Sequence, residues 1–494
     1  MNAPPASGAP LTKSEINWIF AGLVTVLLLA ALDQTIVATA MPTIGRELGD
    51  IEHLPWIVTA YLLAATAATP LTGKLSDIHG RRIVLLCSLA IFLIGSVACA
   101  LAPTLLILTL ARGLQGLGGG GLISLSQTVI ADIVTPRERA GYQIYIAGVF
   151  MVSSLAGPAL GGFLAEHWHW PMIFWINLPL GLAAFFMVNR YLKRLPWHGR
   201  KHRVDIAGAV LLVAATTSLL LALSQGSSQN AWTSPEILGL FAVSALCWLL
   251  LVARLRSAAE PLIPINILAN NVMLCATLAA SLSMGTFIGL TISMPIYFEE
   301  VTGLTASQSG LALLPLMGGT VCGATLSGRL MIRLQHYKRI PLCGLAVAFC
   351  TVCYLAAQSH AIPMPLLALL LGLTSTGLGT VLTIATVSVQ NNAPLHQLGT
   401  ATATMNLFRQ LGAALIVAVF GAIILNGAGE APAKIGAVAA HLQPERLESL
   451  IAAYRLVFLT AAAGFAIAFL AFLRMEERPL GGHHARTESP AIGE

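Results

Sequence analysis

Asp33, in the run LDQTIVATAMP (Leu32–Pro42), is the one carboxylate of this chain that lies deep inside an apolar stretch. An acid at the centre of a membrane helix costs about 2.5–3.5 kcal/mol on insertion scales, so such residues are functional candidates by default. Burial favours the neutral acid and a nearby cation favours the anion, which makes a buried carboxyl a switchable proton site. The plainer reading is an acid that pairs locally and only holds helices together. Two arginines share its situation: Arg112, in ARGLQGLGGGG (Ala111–Gly121), and Arg409, in MNLFRQLGAA (Met405–Ala414). A buried arginine stays charged, so Arg112 can hold the anion of Asp33 or, on approach, release its proton. In the second run Asn406, Arg409, Gln410 and Ala413 recur at helical spacing and share a face. A polar face in a membrane helix looks into protein or a wet cavity. Together with Gln34 and Gln115, these polar residues are candidates for a substrate cavity, structural hydrogen bonding being the alternative.

Two other runs suit movement. GKLSDIHGRR (Gly73–Arg82) is a tight charged turn in which Asp77 and Arg81 can pair with each other or with Asp132. A network of that kind can break and re-form as two bodies rock, whereas a purely topogenic turn accounts for Arg81 and Arg82 but not for Asp77. GPALGG (Gly157–Gly162) sets Pro158 between Gly157 and Gly161; proline kinks a helix and glycine permits close approach, the makings of a hinge. Other suggestive residues are read plainly. His167–Trp170 (HWHW) is an aromatic belt rather than a zinc pair. Cys350 and Cys353 form a CxxC in an apolar run without a nearby histidine, so helix packing is preferred to metal or redox chemistry. His483–His484 belongs to a polar tail. No metal or cofactor is expected.

The elements that must position these residues follow from composition. Apolar residues make up 56% of the 494 and charged residues 10%, against about 25% charged in soluble domains. A membrane span needs about 20 mostly apolar residues, and fourteen such runs occur: 18–41, 54–72, 83–103, 104–131, 143–165, 171–193, 206–225, 237–255, 272–297, 309–332, 340–358, 365–390, 401–426 and 451–473. The first is a retained span, since no small-residue cleavage site follows it. Fourteen spans put both termini on one side. With that side cytoplasmic, 21 of the 27 Lys and Arg fall on inner segments, four on outer ones (Arg46, Lys434, Arg446, Arg455) and two within the bilayer. This positive-inside asymmetry sets the orientation and explains the net charge of +6 without nucleic acid. Asp33 and Arg112 each lie eight residues from the outer end of their runs, about 12 Å deep at 1.5 Å per residue, so contact between them is permitted. Residues 427–450 are expected to form a short outer amphipathic piece, and the tail after Arg474 to be disordered.

An internal repeat is visible: the turn after span two is echoed by GRLMIRLQHYKR (Gly328–Arg339) after span ten, and GLGGGGLISL (Gly116–Leu125) by GLGTVLTIAT (Gly377–Thr386). Repeats characterise secondary transporters. The chain accordingly divides into six-helix halves at 1–200 and 261–474, a two-helix insertion at 201–260 and a tail at 475–494. There is no GxxxxGK[ST] run for ATP-driven pumping, and one mid-membrane acid does not furnish an enzyme's active site.

The quoted motifs carry a resemblance. Gly73–Arg82 resembles the loop signature of the major facilitator superfamily, Arg112–Gly116 (RGLQG) its fourth-helix motif, and Gly157–Gly162 the fifth-helix motif of its exporters. LDQTIVATAMP, WINLPLG (Trp175–Gly181), SGLALLP (Ser309–Pro315) and NLFRQLG (Asn406–Gly412) resemble the fourteen-span drug:proton antiporters. The resemblance implies an all-α major facilitator fold and proton-coupled efflux of lipophilic drugs or other toxic small molecules from a cytoplasmic (inner) membrane. The alternative is a same-fold transporter of a lipid or specific metabolite. It implies Asp33 as the proton-coupling acid, Arg112 as its partner, and Gly73, Asp77, Arg81 and Asp132 as a conformational lock. Implied partners are a lipophilic substrate, protons and membrane lipids, with a periplasmic adaptor protein left open. Glu299 and Glu300 lie at an outer helix end and no second mid-membrane acid exists, which favours lipophilic monocations, neutral or even anionic compounds over polyvalent cations.

Overall fold

The computed structural model describes residues 12–49, 53–194, 205–229, 232–334, 336–358, 362–428 and 444–479, and all regular structure among them is helical. Fourteen helices are long and apolar enough to cross a membrane. Spans one to six are Lys13–Leu48, Pro55–His79, Arg81–Ala100, Leu105–Ile133, Glu138–Ala165 and Met172–Tyr191. Spans seven and eight are Ile206–Gly226 and Pro235–Ser257. Spans nine to fourteen are Asn271–Glu300, Gln308–Met331, Arg339–Ala357, Met364–Asn392, Leu395–Asn426 and Leu447–Arg474. The first and last helices emerge on one face, called here the terminal face.

Local chemistry explains where the helices overrun their apolar cores. Span one starts at a capping box in which Thr12 and Glu15 bond reciprocally, continues through Pro42, and stops at Gly49, whose φ of 70° suits glycine. It thus reaches well beyond residues 18–41. Span three ends at Ala100 rather than 103, since Pro103 and Thr104 belong to the turn that caps span four. The helix of span five runs unbroken from Pro136 to His167 with Pro158 inside it, so the GPALGG run does not interrupt it. Residues 475–479 are ordered, against expectation. The Lys338 N–H donates to Glu477 Oε1 at 3.0 Å and Arg478 Nη1 to Asn392 Oδ1 at 2.6 Å, so polar residues of the tail supply ends that span twelve and the turn before span eleven lack. The outer piece at 427–450 falls mostly, and His483–His484 wholly, outside the described residues. All eight cysteines are free.

Packing follows the repeat. Span four lies against spans two and three, and span twelve against spans ten and eleven. The matching glycine runs make both approaches close: an added Cβ would lie 2.2 Å from the Ala65 carbonyl oxygen at Gly120, and 2.2 Å from that of Thr320 at Gly379. Spans one to six share two apolar clusters, and spans nine to fourteen a third. Spans two and thirteen, and five and ten, join these two groups. The hairpin of spans seven and eight leans on the seam between spans two and thirteen, with Trp248 stacked on Phe408. Its base is fastened by Asp205, which accepts from the Gly208 N–H at 3.0 Å and pairs with Arg254 at 3.1 Å.

Candidate functional site

The first cluster is built from the middle of span one. Asp33 is fully buried and accepts from three donors: Arg112 Nη1 on Oδ2 at 2.7 Å, and Gln115 Nε2 and Asn177 Nδ2 on Oδ1 at 2.9 and 2.8 Å. Arg112 and Gln115 reach it together because, three residues apart, they project from one side of span four. Arg112 also donates to Gln115 Oε1 at 2.6 Å and to the Ile57 carbonyl at 3.4 Å, and its guanidinium lies 4.2 Å from the Tyr61 ring centroid and 5.7 Å from that of Phe174. Asn177 is oriented by Ser96 Oγ at 3.0 Å, which itself donates to the Phe174 carbonyl at 2.9 Å. Five spans therefore converge on one carboxylate. Gln115, expected in the substrate cavity, is wholly buried inside this network. Gln34 projects from the next position of span one and is exposed. Asn177 was not singled out from sequence, although it sits in WINLPLG; an amide in an apolar span was the available signal.

The second cluster joins the two groups of spans at the terminal face. Arg81 pairs with Asp77, with Asp132 at 2.9 Å, and donates to Ser76 Oγ at 2.7 Å. Asp77 also caps the start of span thirteen: Oδ1 accepts from the Gly399 N–H at 3.0 Å, and Oδ2 from the Thr400 N–H at 2.8 Å and its hydroxyl at 2.6 Å. A carboxylate at a helix N-terminus is stabilising by roughly 0.5–2 kcal/mol. The close approach needs bare backbone on both sides. A Cβ at Gly73 would lie 2.4 Å from Ala403 Cβ, and one at Gly399 2.5 Å from Arg81 Nη1. Gly80, with φ of 90°, makes the turn that brings Arg81 back over Asp77. Gly399 and Thr400 carry no charge or motif in the sequence and were missed.

Further ties between the groups lie between this turn and mid-membrane. Thr66 donates to Gln410 at 2.5 Å, Asn406 to Gln127 Oε1 at 3.1 Å, and Gln390 to the Gln127 carbonyl at 3.3 Å. Gly328 would place a Cβ 2.6 Å from the Ala140 carbonyl oxygen. These contacts hold the two groups together on the terminal-face side of mid-membrane. Arg409 stands beside these residues and touches Asn406 Oδ1 at 3.3 Å and the Met284 sulfur at 3.8 Å. On span five, Gly157 and Gly161 meet span one directly: added Cβ atoms would lie 2.0 Å from Thr35 Oγ1 and 2.3 Å from the Ile36 carbonyl oxygen. Pro158 itself is exposed. The glycines therefore press on the helix turn that follows Asp33.

Known proteins resemble this chain in sequence and in fold. The chain is 32% identical over 416 residues to Multidrug resistance protein 3 of Bacillus subtilis (strain 168), covering 84% of this chain and 80% of that protein. It is 32% identical over 415 residues to Multidrug transporter protein MdtP of the same organism, covering 83% and 76%. Among solved structures, the human organic anion transporter MFSD10 (TETRAN) superposes with a TM-score of 0.65 at 17% identity, over 95% of this chain and 100% of the other. A bacterial homologue of the iron transporter ferroportin in an outward-facing state gives 0.60 at 14% identity, over 91% and 98%. The sequence model described as Major Facilitator Superfamily matches residues 23–417. With that match and these relatives, the chain belongs to the major facilitator superfamily: it is a multi-pass membrane transporter and not an enzyme.

Proposed function

We propose that this transporter exports lipophilic drugs or related toxic small molecules from the cytoplasm in exchange for protons, by alternating access. The observation that carries this reading is the fully buried Asp33 carboxylate, held by Arg112, Gln115 and Asn177. Export as the direction of transport is favoured by the word resistance in the name of its relative Multidrug resistance protein 3. The terminal face is taken as cytoplasmic from the distribution of Lys and Arg, and the membrane as the cell's inner one. On that orientation the contacts between the two groups lie on the cytoplasmic side of mid-membrane.

The exchange follows from the acceptor count. A proton entering from the opposite face binds the Asp33 oxygen that now accepts from Arg112, and the charge attraction that holds the pair is lost. Arg112 then rests on groups it already touches: Gln115 Oε1, the Ile57 carbonyl and the Tyr61 ring face. Span one is freed to shift against span four, and its glycine contacts with span five transmit that shift. The Asp77 cap on span thirteen opens, and the proton leaves Asp33 to the cytoplasm when Arg112 returns. Substrate and proton need not share a spot, provided each biases the same rocking equilibrium. Gln34, Asn406 and Gln410 face the path between the groups.

The test is purified protein in liposomes with an imposed pH gradient, reading uphill movement of a fluorescent lipophilic dye. Dye accumulation that follows the gradient and collapses with a protonophore is expected; accumulation indifferent to both would overturn proton exchange.

A further inference from the structure

Arg409 is a charge with no ion pair among the described residues. It lies eleven residues beyond Leu398 in the helix Leu398–Ala428, about 16 Å along the axis from its terminal-face end. Its Nε is buried without a hydrogen-bond partner, Nη1 makes one 3.3 Å bond to a neutral amide, and Nη2 faces a thioether sulfur at 3.8 Å. The sequence holds no Asp or Glu between Glu300 and Glu430, so spans ten to thirteen contain no acid at all. The acids of the other group are engaged elsewhere, Asp33 with Arg112 and both Asp77 and Asp132 with Arg81. The guanidinium is nonetheless not sealed in apolar packing. Its residue keeps partial exposure at mid-membrane, and Asn406, Gln127, Gln410 and Thr66 lie in the same inter-group seam. Phe408, one residue away, turns to the opposite side and stacks on Trp248.

We propose that Arg409 is a binding subsite for the anionic group of an amphipathic organic anion, such as a lipophilic carboxylate, carried as substrate. This rests on the transport reading above and narrows its substrate class. A planar guanidinium with unsatisfied N–H groups matches a carboxylate in two-point fashion. The amides of Asn406 and Gln410 can turn donors to the same oxygens once the seam opens, and Met284 and the apolar walls of spans nine and thirteen receive the hydrophobic body. The anion bound at Arg409 is spatially separate from the proton on Asp33, because the two arginines share no described partner.

The experiment is equilibrium binding, without any pH gradient, to the full chain in nanodiscs of phosphatidylcholine. The probes are a radiolabelled naphthyl alkanoate and its primary amide, which differ in charge but hardly in shape. Wild type should bind the carboxylate about tenfold tighter than the amide. Arg409→Gln should bring that ratio to near one, and Arg409→Lys should retain part of it. Equal affinities for the two probes in wild type, or an unchanged ratio in Arg409→Gln, would overturn the assignment. A ratio that collapses when phosphatidylglycerol is added would give the site to a lipid phosphate and likewise overturn a substrate role. If Arg409→Gln does not fold, as judged by gel filtration, Asn406→Ala replaces it and should lower the ratio severalfold; an unchanged ratio there also counts against the proposal. Because no gradient is applied, this assignment can fail while gradient-driven export survives, and the reverse.

Discussion

Arg112 and Arg409 occupy the interior of membrane helices in the two groups of spans, in settings of opposite kind. Arg112 donates to a carboxylate, an amide oxygen and a backbone carbonyl, and stacks on two aromatic rings. Arg409 has one long bond to an amide and a contact to sulfur. The first is a completed ion pair in which five spans meet, the second a cation with no ion pair among the described residues. On the proposed reading this is a division of labour: the first six spans exchange the counter-charge of Arg112 for a proton, whereas Arg409 takes its counter-charge from a substrate.

That contrast predicts its largest effect at Asp33. Asp33→Asn cannot lose or gain a proton, so uphill efflux in pH-loaded liposomes should be abolished, while binding of a neutral substrate persists. Efflux at the wild-type rate with the same pH dependence would place the proton site elsewhere. Stability should separate the two arginines next. Removing one partner of a buried pair costs about 3–5 kcal/mol because the other charge remains unpaired. Arg112→Gln should therefore lower the thermal midpoint of the detergent-solubilised protein sharply. Arg409→Gln removes a charge that nothing compensates, and should leave the ligand-free midpoint unchanged or raised. A larger drop at Arg409 than at Arg112 would erase the distinction.

The joint between the groups gives a smaller effect. Asp77→Asn weakens the cap on span thirteen and the pair with Arg81, altering the balance between facing states by about 1–2 kcal/mol. Transport should fall by roughly tenfold with substrate affinity changed less. Transport equal to wild type would return the turn to a topogenic role. Smallest is Asn177→Ala, which removes one of three donors to Asp33. Coupled efflux should decline severalfold, with dye binding preserved. No change would make Asn177 a packing residue, and abolition would make it as necessary as Arg112.

How far these regions could be read beforehand differed for physical reasons. The Asp33–Arg112 pairing was accessible because depth in a membrane helix follows from counting residues, and two opposite charges at equal depth in apolar runs have few other places to go. Asp77 with Arg81 was legible because an i,i+4 pair is local. The cap that Asp77 places on Gly399 and Thr400 was not, since those residues are about 320 positions away and backbone N–H groups look alike in every sequence. Pro158 falls inside an unbroken helix, because a helix packed against span one through Gly157 and Gly161 tolerates the missing bond.

Composition and charge placement determined the fourteen spans by themselves, because burying a helix in lipid demands a long apolar run and that demand is written residue by residue. Sequence also determined that spans ten to thirteen hold no acid to pair with Arg409, since an absence over residues 301–429 can be counted. Only the tertiary structure decided which partners each buried charge has. Gln115 is buried against Asp33 while Gln34, next to that acid in the chain, is exposed. Both are glutamines in apolar helices. What separates them is the rotation of spans one and four about their axes, set by packing against spans two, three, five and six, and no single helix encodes that angle.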